Sequence, residues 1–229
     1  MNDIIILVGG LGTRLVKISN GVPKPLMPVA DRVFIDYVFD WLTKFTPNRI
    51  ILSLCYKSEF FLSYLAKRHF NFEIVPIIEP YPLGTGGAIN YVLENLDVTN
   101  DFCVLNGDTL VDFNILDMVN QYEKTKCNAM LGLTYMKSAD RYGIVDFENH
   151  LATSFKEKEK NQEGWINNGC YILSKKIFES YSGKFSIEQD VFPSLAKSRK
   201  LGVYKTSGAF IDIGIPEDYN RFLINNNGN

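Results

Sequence analysis

The sequence predicts an α/β fold: a doubly wound, Rossmann-like and mostly parallel sheet with a small added antiparallel part. In the first half of the chain, apolar runs of strand length alternate with segments whose apolar residues recur at helical spacing. Strands that are separated by helices favour parallel pairing, because each helix returns the chain across the sheet. The second half changes character: the runs 143–147 and 151–155 are short and 165–173 is longer, which indicates the antiparallel addition.

Each element is predicted from its local pattern. Residues 4–8 form an unbroken apolar run, Ile-Ile-Ile-Leu-Val, which is typical of a strand buried on both faces. Ser58 can cap a helix whose apolar face includes Phe61 and Leu65. Residues 81–87 are rich in proline and glycine and predict a loop. The remaining strands are expected at 48–54, 73–78, 101–105 and 128–135, and the remaining helices at 34–42, 88–95 and 116–124.

Length and composition are those of an ordinary globular protein. Of 229 residues, 46% are hydrophobic and 22% charged, so we expect one domain over 1–224 with a substantial core and a frayed polar tail over 225–229. The formal net charge of −2 gives no electrostatic case for binding nucleic acid or an anionic membrane. No apolar run approaches the roughly 20 residues of a membrane span. The four cysteines lack a Cys-x-x-Cys pair, which indicates reduced thiols and a cytoplasmic location.

The stretch after the first strand carries the strongest chemical signal. Gly9, Gly10 and Gly12 let the backbone turn sharply and present its N–H groups to phosphate oxygens, because no Cβ intervenes. Arg14 can fork onto a phosphate, while Lys24 acts as a point charge held between two prolines. A plain glycine turn beside a solvated arginine and lysine is the alternative interpretation of these residues alone.

Two common nucleotide-binding motifs do not fit this stretch. A P-loop closes with Gly-Lys-Ser/Thr, whereas Thr13 and Arg14 follow Gly12 here. A dinucleotide fingerprint requires a glycine where Leu15 stands. The combination of Gly-Gly-x-Gly-Thr-Arg-Leu with a later Pro-Lys-Pro-Leu-x-Pro-Val resembles the signature of the sugar-1-phosphate nucleotidyltransferases. The resemblance implies the nucleotide-diphospho-sugar transferase fold and catalytic roles for Arg14 and Lys24. It also implies that Thr13 binds the nucleotide together with the three glycines.

Two aspartates are expected to bind a metal ion. Asp108 follows the strand at 101–105, at the edge where open α/β sheets bind ligands, and a carboxylate there suits a hard divalent ion such as Mg²⁺. Read alone, the sequence Asn-Gly-Asp favours a simple turn. The resemblance implies that Asp108 is a catalytic metal ligand, that Asp212 in Asp-Ile-Gly is the second ligand, and that Mg²⁺ is the cofactor. Asp112 and Asp190 are weaker candidates.

Glu79 indicates which base the nucleotide carries. The resemblance implies that the base lies against the loop containing Gly84 and Thr85, where glycine admits a flat ring near the backbone. Glu79 precedes this loop, and a carboxylate offers only acceptors. Guanine presents N1–H and N2–H₂ side by side, whereas uracil and thymine flank one N–H with two carbonyls, so GTP is expected. The alternative is a Glu79 that faces solvent or pairs with an arginine or lysine.

The sugar side is indicated by three further motifs. The run Phe-Lys-Glu-Lys matches the family's Phe-x-Glu-Lys, which implies that Glu157 binds sugar hydroxyls and Lys158 binds the sugar phosphate. Glu159 stands where the family usually has proline, and read alone this run is a solvated cluster of charges. Trp-Ile-Asn-Asn-Gly-Cys-Tyr matches a family strand in which Asn167 would bind hydroxyls. Gly143 matches a glycine that lets the sugar approach the backbone.

The resemblance spans nearly the whole chain and implies an enzyme whose partners are GTP and a sugar 1-phosphate. Within the family, the chain most resembles the D-glycero-α-D-manno-heptose 1-phosphate guanylyltransferases. Mannose 1-phosphate as the acceptor, or uridylyl or cytidylyl transfer to another sugar 1-phosphate, stays open. A non-catalytic nucleotide-sugar sensor is a further alternative, although it would be expected to lack Arg14, Lys24 or an aspartate. A homo-oligomer is compatible with the sequence, which does not define the oligomeric state.

Overall fold

A mixed sheet, nine-stranded within the described residues, forms the centre of the molecule. The structure is a computed structural model that describes residues 3–10, 12, 15–156 and 162–226. The strands in chain order are β1 (Asp3–Leu7), β2 (Pro28–Val29), β3 (Arg32–Val33), β4 (Arg49–Leu54), β5 (Glu73–Ile78), β6 (Asp101–Asn106), β7 (Thr109–Val111), β8 (Ala129–Met136), β9 (Ile144–Glu148), β10 (Leu151–Lys156), β11 (Gly164–Ser174), β12 (Leu201–Thr206) and β13 (Phe210–Asp212). The α-helices are α1 (Val16–Ser19), α2 (Phe34–Thr43), α3 (Ser58–Leu65), α4 (Gly84–Asn95), α5 (Ile115–Glu123), α6 (Phe192–Lys197) and α7 (Pro216–Asn226).

The strands lie across the sheet in the order β5, β4, β1, β6, β11, β8, β12, β10 and β9. The first four are parallel neighbours, which confirms the predicted α/β class. Farther along, β11 is antiparallel to β6 and β8, β12 is parallel to β8, and β10 is antiparallel to β12 and β9. The antiparallel part is larger than the sequence predicts, because β9, β10 and β11 follow one another without a crossover helix in the described residues.

Strand β1 is buried on both faces, as its unbroken apolar run predicts. Ile4 and Ile6 pack into the core on one side of the sheet, with Phe34 of α2. Ile5 points the other way and packs into the second core with Ile89 of α4. Since successive side chains of a strand point to opposite faces, a strand covered on both sides favours an unbroken apolar run.

The side of the sheet on which successive strands are added changes at β1. From β1 the parallel strands continue outwards through β4 to β5, and the chain then returns to place β6 on the other side of β1. Leu7, the last residue of β1, pairs with Ser53 of β4 and with Asn106 of β6. The segments that follow β1 and β6 therefore diverge at one edge of the sheet. Open α/β sheets form their ligand-binding crevice at such a point.

Helix α4 begins at Gly84, earlier than the predicted start at residue 88. The glycines also have a role that the sequence analysis did not assign. A Cβ atom on Gly84 would lie 2.5 Å from the carbonyl oxygen of Phe185, and one on Gly87 would lie 2.4 Å from the carbonyl oxygen of Gly183. The N–H groups of Gly86 and Gly87 donate to Phe185 O, at 3.1 and 3.2 Å. The glycines thus admit the segment 183–187, whose carbonyl caps the first turn of α4.

The other predicted elements are present within a few residues of their expected bounds. Residues 225 and 226, which were assigned to the frayed tail, belong instead to α7, and residues 227–229 lie outside the described residues. In the part of the chain that the structure describes, no helix combines the length and apolarity needed to cross a bilayer.

Replacing Gly87 by alanine should destabilise the protein, because the added methyl group would press on the backbone at Gly183. Overpacking typically costs about 1–3 kcal/mol, which outweighs the helix preference of alanine over glycine, about 1 kcal/mol at most. Gly10→Ala is the matched control, since a Cβ atom there meets nothing within 4 Å. Chemical denaturation of both variants is the measurement. A Gly87→Ala protein as stable as the Gly10→Ala protein would contradict the packing role of this glycine.

Candidate active site

A cleft of about 320 Å³ opens at the carboxyl ends of β1 and β6. Its lining brings together most of the residues predicted to act on the nucleotide: Gly9, Gly10, Gly12, Lys24, Glu79, Gly84, Thr85 and Asp108. Four other predicted site residues, Thr13, Arg14, Glu157 and Lys158, lie outside the described residues. The glycine stretch and the Pro-Lys-Pro stretch are therefore on the same cleft, as the sequence predicts.

Lys24 reaches the cleft from a 3₁₀ turn, Lys24–Leu26, that follows Pro23. Its Nζ atom lies 3.3 Å from Asp108 Oδ2. The lysine side chain passes close to Gly12, which has a positive φ of 62°, and a Cβ atom on Gly12 would lie 3.2 Å from Lys24 Cγ. A glycine at this position thus satisfies both the left-handed backbone and the close approach of the lysine.

The two aspartates predicted to bind a metal ion are brought together by the short pairing of β7 with β13. Asp212 is the register partner of Thr109, which follows Asp108 directly. The N–H of Ile213 also donates to the carbonyl oxygen of Asp108 at 3.1 Å. Burial raises the pKa of Asp108; the cation of Lys24 opposes that shift, and the negative Asp212 adds to it. The two carboxylates are therefore close enough for their charges to interact.

The carboxylate of Asp212 is fixed through both oxygens. Its Oδ1 accepts from the N–H of Gly214, and its Oδ2 accepts from Tyr142 Oη, each at 2.6 Å. In the described residues, no group of three or more His, Cys, Asp or Glu side chains could hold a metal ion. A divalent ion beside Asp108 and Asp212 would take its other ligands from water and phosphate, which is the binding mode that Mg²⁺ favours.

Glu79 is buried, with 7% of its surface exposed, and its carboxylate is held by two neutral donors. Ser53 Oγ donates to Oε1 and the N–H of Leu83 donates to Oε2, both at 3.1 Å. The alternative that Glu79 faces solvent is therefore wrong. Burial raises the pKa of Glu79, and the two hydrogen bonds partly oppose this shift.

Thr85 lines the cleft, but its hydroxyl is engaged with the protein. Thr85 Oγ1 donates to Glu188 Oε2 at 2.5 Å and accepts from the N–H of Ile187 at 3.0 Å. Together with Gly84 it faces the cleft at the start of α4. A ligand in the cleft would therefore meet chiefly the backbone of this turn. The glycines and the hydroxyl hold α4 against the segment 183–187.

Asn167 and Gly143, predicted to bind the sugar, lie near each other beside the cleft rather than on its lining. The antiparallel pair Ile166–Ile144 places them next to one another across β11 and β9. Asn167 Oδ1 accepts from the N–H of Gly169 at 3.0 Å, within an irregularity of β11 where Gly169 has a positive φ of 81°. The amide of Asn167 is thus already oriented by the bulged strand.

Residues 3–224 match the family model described as nucleotidyl transferase. The chain belongs to the nucleotidyl transferase family. It is 39% identical over 221 residues to the D-glycero-α-D-manno-heptose 1-phosphate guanylyltransferase of Aneurinibacillus thermoaerophilus, with 96% of each chain covered. It is 40% identical over 225 residues to the enzyme of the same name from Campylobacter jejuni, covering 97% of this chain and 99% of the relative.

A solved structure that is similar in sequence has the same fold. The crystal structure of HddC from Yersinia pseudotuberculosis complexed with GMP-PN has a TM-score of 0.87 and is 36% identical, covering 98% of this chain and 99% of HddC. The family and the fold class predicted from the sequence are therefore confirmed.

Two residues that the sequence analysis did not single out complete the site of this nucleotidyl transferase. Ser53 is fully buried and holds Glu79. Ser53 could have been identified from the sequence, because it is the lone polar residue in the apolar run of β4. Tyr142 holds Asp212 and directly precedes Gly143, so the motif that pointed to the glycine also contained the tyrosine.

Glu79→Gln should change how the stability of the protein depends on pH. Because folding raises the pKa of Glu79, its proton is bound more tightly in the folded state. The stabilisation that results is complete below the ordinary carboxyl pKa and is lost as pH rises through the raised one. Glutamine lacks this titration, so the variant should gain stability relative to the wild type as pH rises above the ordinary carboxyl pKa of about 4.

Thermal unfolding of both proteins across this pH range is the measurement. Glu123→Gln is the control, since Glu123 is exposed and should give a curve parallel to that of the wild type. Parallel curves for the Glu79→Gln and wild-type proteins would contradict a raised pKa for Glu79.

Proposed function

We propose that this protein transfers GMP from GTP to D-glycero-α-D-manno-heptose 1-phosphate, giving GDP-heptose and pyrophosphate. The observation that carries the proposal is the buried, acceptor-only side chain of Glu79 in the same cleft as the Lys24–Asp108 pair. The two heptose 1-phosphate guanylyltransferases at 39% and 40% identity, matched over nearly their whole length, support the choice of acceptor.

The reaction needs little proton chemistry. The second pKa of a phosphate monoester is about 6, so the attacking oxygen of the sugar phosphate is already anionic at neutral pH. This oxygen bonds to the α-phosphorus of GTP while the bond from that phosphorus to the bridging oxygen of pyrophosphate breaks. The difficulty is to hold two anions together in line, which calls for positioning and positive charge. We propose that Lys24 and the N–H groups of the glycine stretch provide both, with Arg14 as the second cation.

We propose Mg²⁺ as the cofactor, held by Asp108 and Asp212. Their hard oxygen atoms fit this ion, and the hydrogen bonds from Tyr142 and Gly214 to Asp212 support a preformed ligand. When bound, Mg²⁺ would offset negative charge on the phosphates. Lys24 neutralises part of the charge on Asp108 until the substrate is bound.

Guanine is proposed to bind at Glu79. Each carboxylate oxygen has two lone pairs, and within the described residues Ser53 and Leu83 make one hydrogen bond to each oxygen. The free lone pairs complement the adjacent N1–H and N2–H₂ of guanine. The oxygen atoms that flank the N–H of uracil would instead meet the carboxylate unfavourably.

The sugar side is proposed to use Gly143, Asn167, Glu157 and Lys158. The neighbouring positions of Gly143 and Asn167 beside the cleft support this assignment.

We also propose a cytoplasmic location. Its support is that the four cysteines, all within the described residues, are free thiols, as is usual in a reducing compartment.

The wild-type protein should prefer GTP over UTP, CTP and dTTP by at least about 10²-fold in kcat/KM, the scale of discrimination by a buried polar site. Glu79→Gln should narrow the preference over UTP, because the amide replaces one acceptor by a donor. Initial rates of pyrophosphate release with each triphosphate and the heptose 1-phosphate are the measurement, and exposed Glu123→Gln is the control. A wild-type enzyme that uses UTP or CTP as efficiently as GTP would disprove the base assignment.

Asp108→Asn and Asp212→Asn should each lower kcat/KM by at least about 10²-fold, equivalent to roughly 3 kcal/mol. Both should also weaken the binding of Mn²⁺, measured by electron paramagnetic resonance in the presence of GTP. Asp112→Asn is the control, since Asp112 is exposed just after β7 and should leave both quantities near wild type. Near-normal turnover and Mn²⁺ binding in Asp212→Asn would contradict the two-aspartate site.

A further inference from the structure

Glu188 lies in a π-helical turn, Ile187–Val191, between the start of α4 and strand β11, and no role in the reaction has been assigned to it so far. Its Oε2 atom accepts from Thr85 Oγ1 at 2.5 Å and from Ser186 Oγ at 2.8 Å. Thr85 belongs to the lining of the cleft, in the turn proposed to face the base. One oxygen of Glu188 is therefore tied to the nucleotide side.

The other oxygen of Glu188 is directed towards the sugar side. Tyr171 Oη donates to Glu188 Oε1 at 3.4 Å, and it accepts from Asn167 Nδ2 at 2.9 Å. A tyrosine hydroxyl has one proton and two lone pairs, so these two partners use its proton and one lone pair.

Tyr171 is well suited to a fixed connection. It is fully buried, with 0% of its surface exposed, and lies on β11 directly after the bulge. Burial raises the pKa of Tyr171 well above 10, and the negative Glu188 adds to that shift, so the hydroxyl keeps its proton. The hydrogen bond to Tyr171 and the one from Gly169 together fix which way the amide of Asn167 points.

We propose that Glu188 is a positioning residue that couples the two substrate sites, through Thr85 on the nucleotide side and through Tyr171 and Asn167 on the sugar side. The inference rests on the proposed function, which assigns those two sides. The first turn of α4 and the bulge of β11 then share one half-buried carboxylate. A nucleotide that orders the turn of Thr85 also orders the amide of Asn167, and the coupling is reciprocal because it is a free energy between two sites.

The test separates the two substrates. Tyr171→Phe should raise KM for the heptose 1-phosphate by about fivefold or more, with the Kd of a non-hydrolysable GTP analogue within about twofold of wild type. Glu188→Gln should weaken both the binding of the GTP analogue and that of the heptose 1-phosphate. Thr85→Val, which breaks the link at the far end, should also raise KM for the sugar phosphate and serves if Glu188→Gln does not fold.

Tyr122→Phe is the matched control. It removes a tyrosine hydroxyl whose hydrogen bond, to Asp101 Oδ1 at 2.9 Å, lies outside the cleft, so neither constant should change. An unchanged sugar-phosphate KM in both Tyr171→Phe and Thr85→Val would overturn the coupling. The coupling would also be overturned if Tyr171→Phe raised the KM for the sugar phosphate and the Kd of the GTP analogue by equal factors. Failure of the proposed function is distinguishable, because the wild-type protein would then form no GDP-heptose, whereas failure of the coupling leaves wild-type transfer intact.

Discussion

The backbone hydrogen bonds that hold β1 between β4 and β6 are the constraint on which the whole site depends. Leu7 pairs with Ser53 on one side and Asn106 on the other, so three strand ends open at one edge of the sheet. Strand β4 supplies the hydroxyl that holds Glu79, and β6 leads directly into Asp108. Because the pairing is made by the backbone, the distance between Glu79 and Asp108 is set by the fold.

The described side chains that line the cleft carry more negative than positive charge. Burial and Asp212 both raise the pKa of Asp108, and Lys24, 3.3 Å away, acts in the opposite direction. The described lining of the cleft includes two acids, Glu79 and Asp108, and the cation of Lys24, and the glycine backbone faces the same space. Bringing two phosphates into this cleft requires further positive charge, which the proposed Mg²⁺ and Arg14 would supply.

Much of the fold, and the residues that line the cleft, could be predicted because their signals are local. The apolar run of β1 and the glycine and proline motifs lie within a single stretch of chain. The start of α4 was placed too late, since glycine has a weak helix propensity and the carbonyl that caps the turn comes from Phe185, far along the chain. The connection through Glu188 was missed for the same reason: its partners, Thr85 and Tyr171, are distant in sequence.

A crystal structure of the protein with a non-hydrolysable GTP analogue and Mg²⁺ tests most directly whether Glu79 reads the base. We expect the two carboxylate oxygens of Glu79 to lie within about 2.7–3.2 Å of guanine N1 and N2, the range of N–H···O hydrogen bonds. The triphosphate should lie against Gly9, Gly10 and Gly12. Guanine bound with its N1–H and N2–H₂ paired to other groups, and Glu79 bonded only to Ser53 and Leu83, would contradict this assignment.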